Sequence, residues 1–280
     1  MKEDNASDMK NNKLIKRFAK SQYKTHKNLS RRINLWSYGT NKESWHKWIF
    51  NKIQLQENER VLELGCGTGE LWVENFSDIP ATCKIIISDF SKNMLKKAKK
   101  NLRPFNLPIR YEKINAEDIP YAEQTFDVVI GCHILYHIPN IEKALKSICS
   151  VLKPNGRFIS TTVSFQHMQE LKDFLSDFGL TFEKKVKFFS EFRNETGKDI
   201  LNRYFKDIDF YEYINQVNIS FIEPLKEYIN SMFPNKQYPH FKEMESQIDN
   251  AIRKILEEKS QFKITGISGL FKATEKSAKF

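Results

Sequence analysis

Short apolar runs alternate along this chain with longer stretches whose apolar residues recur every three or four positions. Val61 to Leu64, Cys83 to Ile87, Ile109 to Ile114, Phe126 to Cys132 and Arg157 to Thr162 are the short runs, each closed by polar or glycine-bearing residues. Nearly continuous apolar runs of this length read as strands of a parallel sheet covered on both faces. Between them the period is helical. Trp45, Trp48, Ile49 and Ile53 mark a helix over about 42–53 with Asn41 as its N-cap, and a second helix runs from a glycine turn to about Phe76. A third spans Met94 to about Leu102, capped by Ser91 with lysines outward, and a fourth runs from Ile141 to Leu152. Lys153-Pro154-Asn155-Gly156 reads as a turn into the fifth strand. Strand and helix in alternation predict an α/β fold with a doubly wound parallel sheet and right-handed crossovers.

After Thr162 the pattern is mixed. Gln166–Phe178 is an amphipathic helix, Ile200–Phe205 looks helical, and Ile208–Val217 is β-like. Glu223–Phe233 and Phe241–Glu258 read as helices, and Phe262–Ala273 as a last strand kinked at its glycines. At the other end, residues 1–32 are expected to be a polar, disordered tail, with Leu14, Ile15 and Phe18 enough for one helical turn.

One stretch carries chemistry. In Glu63-Leu64-Gly65-Cys66-Gly67-Thr68-Gly69 a buried strand breaks into a tight turn and then a helix. Glycine lets a ligand approach the backbone, and the helix beyond presents unpaired N–H groups. The spacing Gly65-x-Gly67-x-Gly69 is one residue tighter than a dinucleotide fingerprint, and Glu63 would repel a diphosphate while suiting an ammonium group. A ligand with an ammonium, a carboxylate and a ribose fits this turn, and S-adenosylmethionine is such a ligand. Asp89, about twenty residues on at the end of the second strand, is placed to accept hydrogen bonds from ribose hydroxyls.

Composition narrows the class. At 280 residues and 40% hydrophobic, the chain can bury one large α/β domain with an added cap. No apolar stretch is long enough to cross a bilayer, and Met1-Lys2-Glu3-Asp4-Asn5 lacks the apolar core of a signal peptide, so a cytoplasmic protein is expected. Cys66, Cys83, Cys132 and Cys149 form no Cys-x-x-Cys pair, which argues against a zinc site and for reduced thiols. The formal charge of +10 leaves nucleic acid open as a partner, although no RNA-binding motif or dense arginine tract accompanies it.

Four blocks together carry a resemblance: the glycine loop, Asp89, Asn115-Ala116-Glu117-Asp118-Ile119-Pro120 with Phe126-Asp127, and Leu152-Lys153-Pro154-Asn155-Gly156-Arg157. In order and spacing they resemble the class I S-adenosylmethionine-dependent methyltransferases, in the branch typified by the ubiquinone/menaquinone biosynthesis enzymes. The resemblance covers residues 60–162. It implies a seven-stranded Rossmann-like sheet with an antiparallel last strand, formed here by 208–217 and 267–273. It implies that Asn115 and Ala116 contact adenine and that Cys132 lies beside the cofactor, so the expected cofactor set is Glu63, Gly65, Cys66, Gly67, Gly69, Asp89, Phe90, Asn115, Ala116 and Cys132. The family commonly has Leu-His-His after the fourth strand where this chain has Leu135-Tyr136-His137. His133 and His137 are therefore candidate bases, and Tyr38 a candidate aromatic contact to a cationic methyl donor. The expected organisation is a core of 33–217 and 263–280 with a helical lid of 218–262, in which Phe221, Tyr228 and Met232 line an apolar pocket for a small-molecule acceptor. Two other readings stay open: an RNA methyltransferase, against which stands Gly131-Cys132-His133 in place of an Asn/Asp-Pro-Pro-Tyr/Phe signature, and a cofactor-binding protein of the same fold without catalysis.

Overall fold

A computed structural model describes residues 26–181, 192–233 and 240–277, and the side chains from residue 31 onward. In chain order the elements are α1 (His26–Trp36), α2 (Trp45–Ile53), β1 (Arg60–Leu64), α3 (Glu70–Glu74), β2 (Lys84–Ser88), α4 (Lys92–Leu102), β3 (Ile109–Glu112), β4 (Phe126–Cys132), α5 (Ile141–Val151), β5 (Leu152–Val163), α6 (Gln169–Ser176), α7 (Gly197–Leu201), β6 (Phe205–Ile219), α8 (Glu223–Met232), α9 (Phe241–Lys259) and β7 (Phe262–Lys276). One seven-stranded sheet runs in the order β3-β2-β1-β4-β5-β7-β6. Strands β1 to β5 pair in parallel, and β7 is antiparallel to both β5 and β6. The fold is the one expected from the strand–helix alternation, with the antiparallel pair at the edge.

Alternation along the central strands separates two cores. Leu62, Leu64, Ile86, Val129 and Phe158 face α5 through Leu145, Ile148 and Cys149. Val61, Ile85, Ile87, Val128, Ile130 and Ile159 face α2, α3 and α4 through Ile49, Ile53, Leu71, Trp72, Ala98 and Leu102. Beyond their exposed first residues, Arg60 and Lys84, β1 and β2 spend every residue on one packed face or the other, which is why these runs are largely apolar.

A third core lies elsewhere. The last β5–β7 pair is Val163↔Ser268, but β6 and β7 stay paired from Ile214↔Ile267 to Ile219↔Phe262. This ribbon overhangs the carboxyl edge of the parallel strands by about 20 Å at the usual rise per residue. Val217, Ile219, Phe262 and Ile264 on the overhang pack with Leu35 of α1, Leu171 and Leu175 of α6, and Leu225, Ile229, Ile248 and Ile252 of α8 and α9.

Several local expectations are corrected. Asn41 does not cap α2. Ser44 does, accepting from the Lys47 N–H at 3.1 Å, because Asn41 is drawn to the edge strand: its Nδ2 donates to the Ile214 carbonyl and its N–H to Asn215 Oδ1. The helix read over 200–205 is the shorter α7, since β6 already begins at Phe205. The segment 153–156 lies within β5, where the pairing jumps from Phe126↔Leu152 to Val128↔Arg157 and Lys153 Nζ reaches both Asp127 oxygens at 2.7 and 2.8 Å. The tail boundary drawn at 32 falls inside α1, and the helical turn expected at Leu14–Phe18 lies outside the described residues. Among the described residues no helix is long and apolar enough to cross a membrane.

Candidate active site

The strand order reverses between β1 and β4, and ligands of open α/β sheets lie beyond the carboxyl ends of the strands at such a switch point. The glycine loop leaves β1 there and His133 to His137 leaves β4 beside it. Gly65, Gly67 and Gly69 all have positive φ, at 72°, 55° and 85°. Two of them also permit close approach. A Cβ on Gly65 would stand 2.4 Å from Ile134 Cγ2, and one on Gly69 would crowd Leu102 and Ala98 of α4 at 3.2 and 3.3 Å. The first and third glycines thus pack the loop against its neighbours. The middle one donates its N–H to Asp89 Oδ2 at 3.0 Å.

Asp89 also accepts from the Ser91 N–H at 2.7 Å, and so ties the loop to the start of α4. Burial raises its carboxyl to about 6 against those two hydrogen bonds. Glu63 shares the parity of Val61 and points into the face covered by α2, α3 and α4. It is 3% exposed. Its Oε2 accepts the Trp72 indole N–H at 2.6 Å. Burial pushes its pKa up to about 7, the indole opposes that rise, and Asp89 adds to it. Cys66 is buried under the loop, its thiol pushed up by burial and by Glu63 and Asp89. Phe90 is 58% exposed and has Lys113 Nζ 5.0 Å above its ring. Asn115 closes a tight turn, accepting the Glu117 N–H at 3.2 Å and bridging to Asp118, with Ala116 half-buried beside it.

Across the cleft, Cys132 ends β4 opposite Thr161, and burial raises its thiol, with Glu63 adding to the rise. His133 is in the left-handed region at φ 54°, held by its N–H to the Thr161 carbonyl and Oγ1 at 3.2 and 3.0 Å. Non-glycine residues in that region concentrate at functional sites. Its ring stacks on Trp45 at 5.3 Å, and Trp45 in turn meets Trp48 and Tyr213. His133 Nδ1 is buried without a hydrogen-bond partner. Burial lowers its pKa to about 4 and that of His137 to about 3, the latter helped by His133, Arg32 and Arg193, so both rings are neutral at pH 7. Neutral imidazoles offer hydrogen bonds here and are weak bases.

Tyr38 belongs to the third core. It follows α1 on the overhang and packs edge-on against Phe221 at 5.5 Å. Tyr228 is only 8% exposed and donates its hydroxyl to Met168 Sδ at 3.0 Å, so it is a core residue of the insertion. Trp72, which touches Glu63, escaped the sequence reading, and Trp45, which touches His133, entered it as an apolar position of a helix. Each sits at helical spacing among other apolar residues, and nothing in the pattern separates it from a core position.

With this geometry in place, comparison with known proteins is informative. A methyltransferase domain family matches residues 55–207. The demethylmenaquinone methyltransferase of Lactobacillus johnsonii is 30% identical over 191 residues, 68% of this chain and 72% of that protein. The chain spans about half the length of other quinone-biosynthesis relatives, 57% for one and 51% for another. Among solved structures, a candidate methyltransferase of Bacillus halodurans superposes with a TM-score of 0.57 at 16% identity, covering 84% of this chain and all of that one. The [4+2]-cyclase SpnF superposes with a TM-score of 0.55, also at 16% identity, over 89% of this chain and 94% of that one. These last two likenesses are of fold alone. Family match, relative and glycine loop agree, and the chain belongs to the class I S-adenosylmethionine-dependent methyltransferases.

Proposed function

We propose that the protein transfers the methyl group of S-adenosylmethionine to a small-molecule acceptor at the mouth between β1 and β4. The observation that carries the site is the Gly67–Asp89 hydrogen bond. It brings the glycine loop and the acid of β2 to one point, where a ligand hydroxyl can take over the carboxylate. The residues present fit the cofactor. Glu63 would hold its ammonium group, the backbone of Gly65 to Gly69 its carboxylate, Asp89 its ribose, and Phe90, Asn115 and Ala116 its adenine. Bound there, the cofactor supplies an activated methyl on a good leaving group. The chain supplies alignment and dryness. His133, neutral and stacked on Trp45, orients the acceptor from the β4 side, with Cys132 and His137 behind it.

The overhanging cap of α1, α8 and α9 bounds the acceptor side, and Tyr38 and Phe221 form its rim. The relatives' names make a quinol-like ring the first acceptor to assay. Calorimetric titration with S-adenosylmethionine and NAD tests the donor: binding of the first and not the second is expected, and the reverse would end the reading. Asp89→Ala should weaken binding by about 1.5–3 kcal/mol, the range for a hydrogen bond to a charged group. The second reading is a cofactor-binding protein of the same fold, in which no methyl moves. Formation of S-adenosylhomocysteine in the presence of acceptor separates the two. Competition by bulk RNA in that assay would instead favour a nucleic-acid acceptor.

A further inference from the structure

The Glu63–Trp72 pair has a chemical asymmetry. An indole N–H donates and cannot accept, so Oε2 of Glu63 is held as an acceptor whatever the charge of the carboxyl group. A carbonyl oxygen is the better acceptor of the two, so a proton on the group is favoured on Oε1. Trp72 is fully buried, with its ring edge-on to Phe50 at 6.4 Å, so the donor is fixed in place by packing. Asp89 at the end of β2 adds to the rise of the Glu63 carboxyl, while the thiols of Cys66 in the loop and Cys132 at the end of β4, both pushed up by burial and by Glu63, stay protonated and uncharged. Burial, with Asp89 adding and the indole opposing, raises the carboxyl to about 7.

We propose that Trp72 is a positioning residue for the cofactor: its indole N–H fixes Oε2 of Glu63 so that Oε1 meets the incoming ammonium group, and binding expels the proton from Oε1 to solvent. This rests on the assignment of Glu63 as the ammonium ligand. The balance is simple. A protonated Glu63 and a cationic amine become a carboxylate–ammonium pair plus one solvent proton. Removing the indole N–H destabilises the carboxylate, so Glu63 holds its proton to higher pH and more binding free energy is spent on removing it.

The test is the affinity for S-adenosylhomocysteine, which carries the same amine and carboxylate, measured by calorimetry from pH 6 to pH 9 for the wild type and Trp72→Phe. The ratio of the two constants cancels the titration of the ligand's own amine. A one-unit rise in the Glu63 pKa makes Trp72→Phe roughly tenfold weaker at pH 6 and brings it within about twofold of wild type at pH 9. Glu63→Gln, which has no carboxyl proton, should flatten the ratio in the double variant. A loss of equal size at every pH would mean that Trp72 merely packs, and would overturn the proposal. Because Trp72→Phe removes a buried ring, a second measurement needs no variant. In protein labelled with 15N-tryptophan, the Trp72 indole resonance should move with pH through neutrality in the free protein and stay fixed once S-adenosylhomocysteine saturates it. A resonance that does not titrate overturns the proposal too. If wild type binds no S-adenosylhomocysteine at any pH, the functional reading fails with it; if it binds but the ratio is flat, only the role of Trp72 fails.

Discussion

Glu63 occupies a strand position that packing alone would give to valine or isoleucine. Its folded pKa, about 7 against an ordinary 4.5, means that the folded protein binds a proton there which the unfolded chain releases at lower pH. The stability this gives is full below pH 4.5 and is lost as pH rises through 7. Glu63→Gln removes that slope. Relative to wild type, the ligand-free variant should gain stability steadily from pH 4.5 to pH 7, by up to about 3 kcal/mol, while losing cofactor affinity. Denaturant unfolding at several pH values checks this, and a difference that does not change with pH would show that Glu63 is not desolvated. His133 and His137 act in the opposite sense, since their depressed values favour the fold as pH rises toward 6.5, so the comparison must be with wild type at each pH. Gly65 makes a second residue-scale prediction. Gly65→Ala sets a methyl against Ile134 at a positive φ and should cost about 1–3 kcal/mol. Ile134→Ala on the same chain should return part of that, and simple additivity of the two changes would show that they do not touch.

At the scale of elements, α2 matters beyond its own length because it carries Trp45 against His133. Its N-cap is Ser44, whose hydroxyl also bonds the Glu74 carboxylate of α3. Ser44→Ala should cost about 1 kcal/mol, read as a lower thermal midpoint, and an unchanged midpoint would mean the cap is redundant. The central strands were legible because burial on both faces leaves them few polar positions, and Glu63 stood out against that background. The choice between Asn41 and Ser44 as cap was not legible. Both residue types cap helices well, and only the nearness of β6, more than 170 positions away in sequence, decides which is free to do so. The partners of Glu63 and His133 were hidden for the same reason. Tryptophan at helical spacing announces burial, and what it is buried against depends on how the loop folds back.

At the scale of the molecule, two cores flank the sheet and a third hangs beyond its carboxyl edge. The third is joined to the sheet by the β6–β7 ribbon. Native-state hydrogen exchange should therefore find α1, α8 and α9 opening together at lower free energy than β1 and β4, with S-adenosylhomocysteine slowing exchange in the latter far more than in the former. Exchange of all these elements at one common free energy would make the cap part of a single cooperative unit. The insertion between β6 and β7 was readable as helical from its spacing, but its role in a separate core was not, because Leu35, Leu171 and Leu225 come from three distant parts of the chain.

The ribbon also decides how such a cap can move. A cover attached by a loose linker swings freely and closes at random angles. Here β6 and β7 enter the cap still hydrogen-bonded to each other, as a beam clamped at one end in the sheet. A paired ribbon resists bending within its own plane far more than it resists bending out of it or twisting, so those two motions are the soft ones. Substitutions at the clamped end, near Gly266 and Gly269, should change how readily α8 and α9 exchange their amide hydrogens while leaving exchange in β1 and β4 as it is.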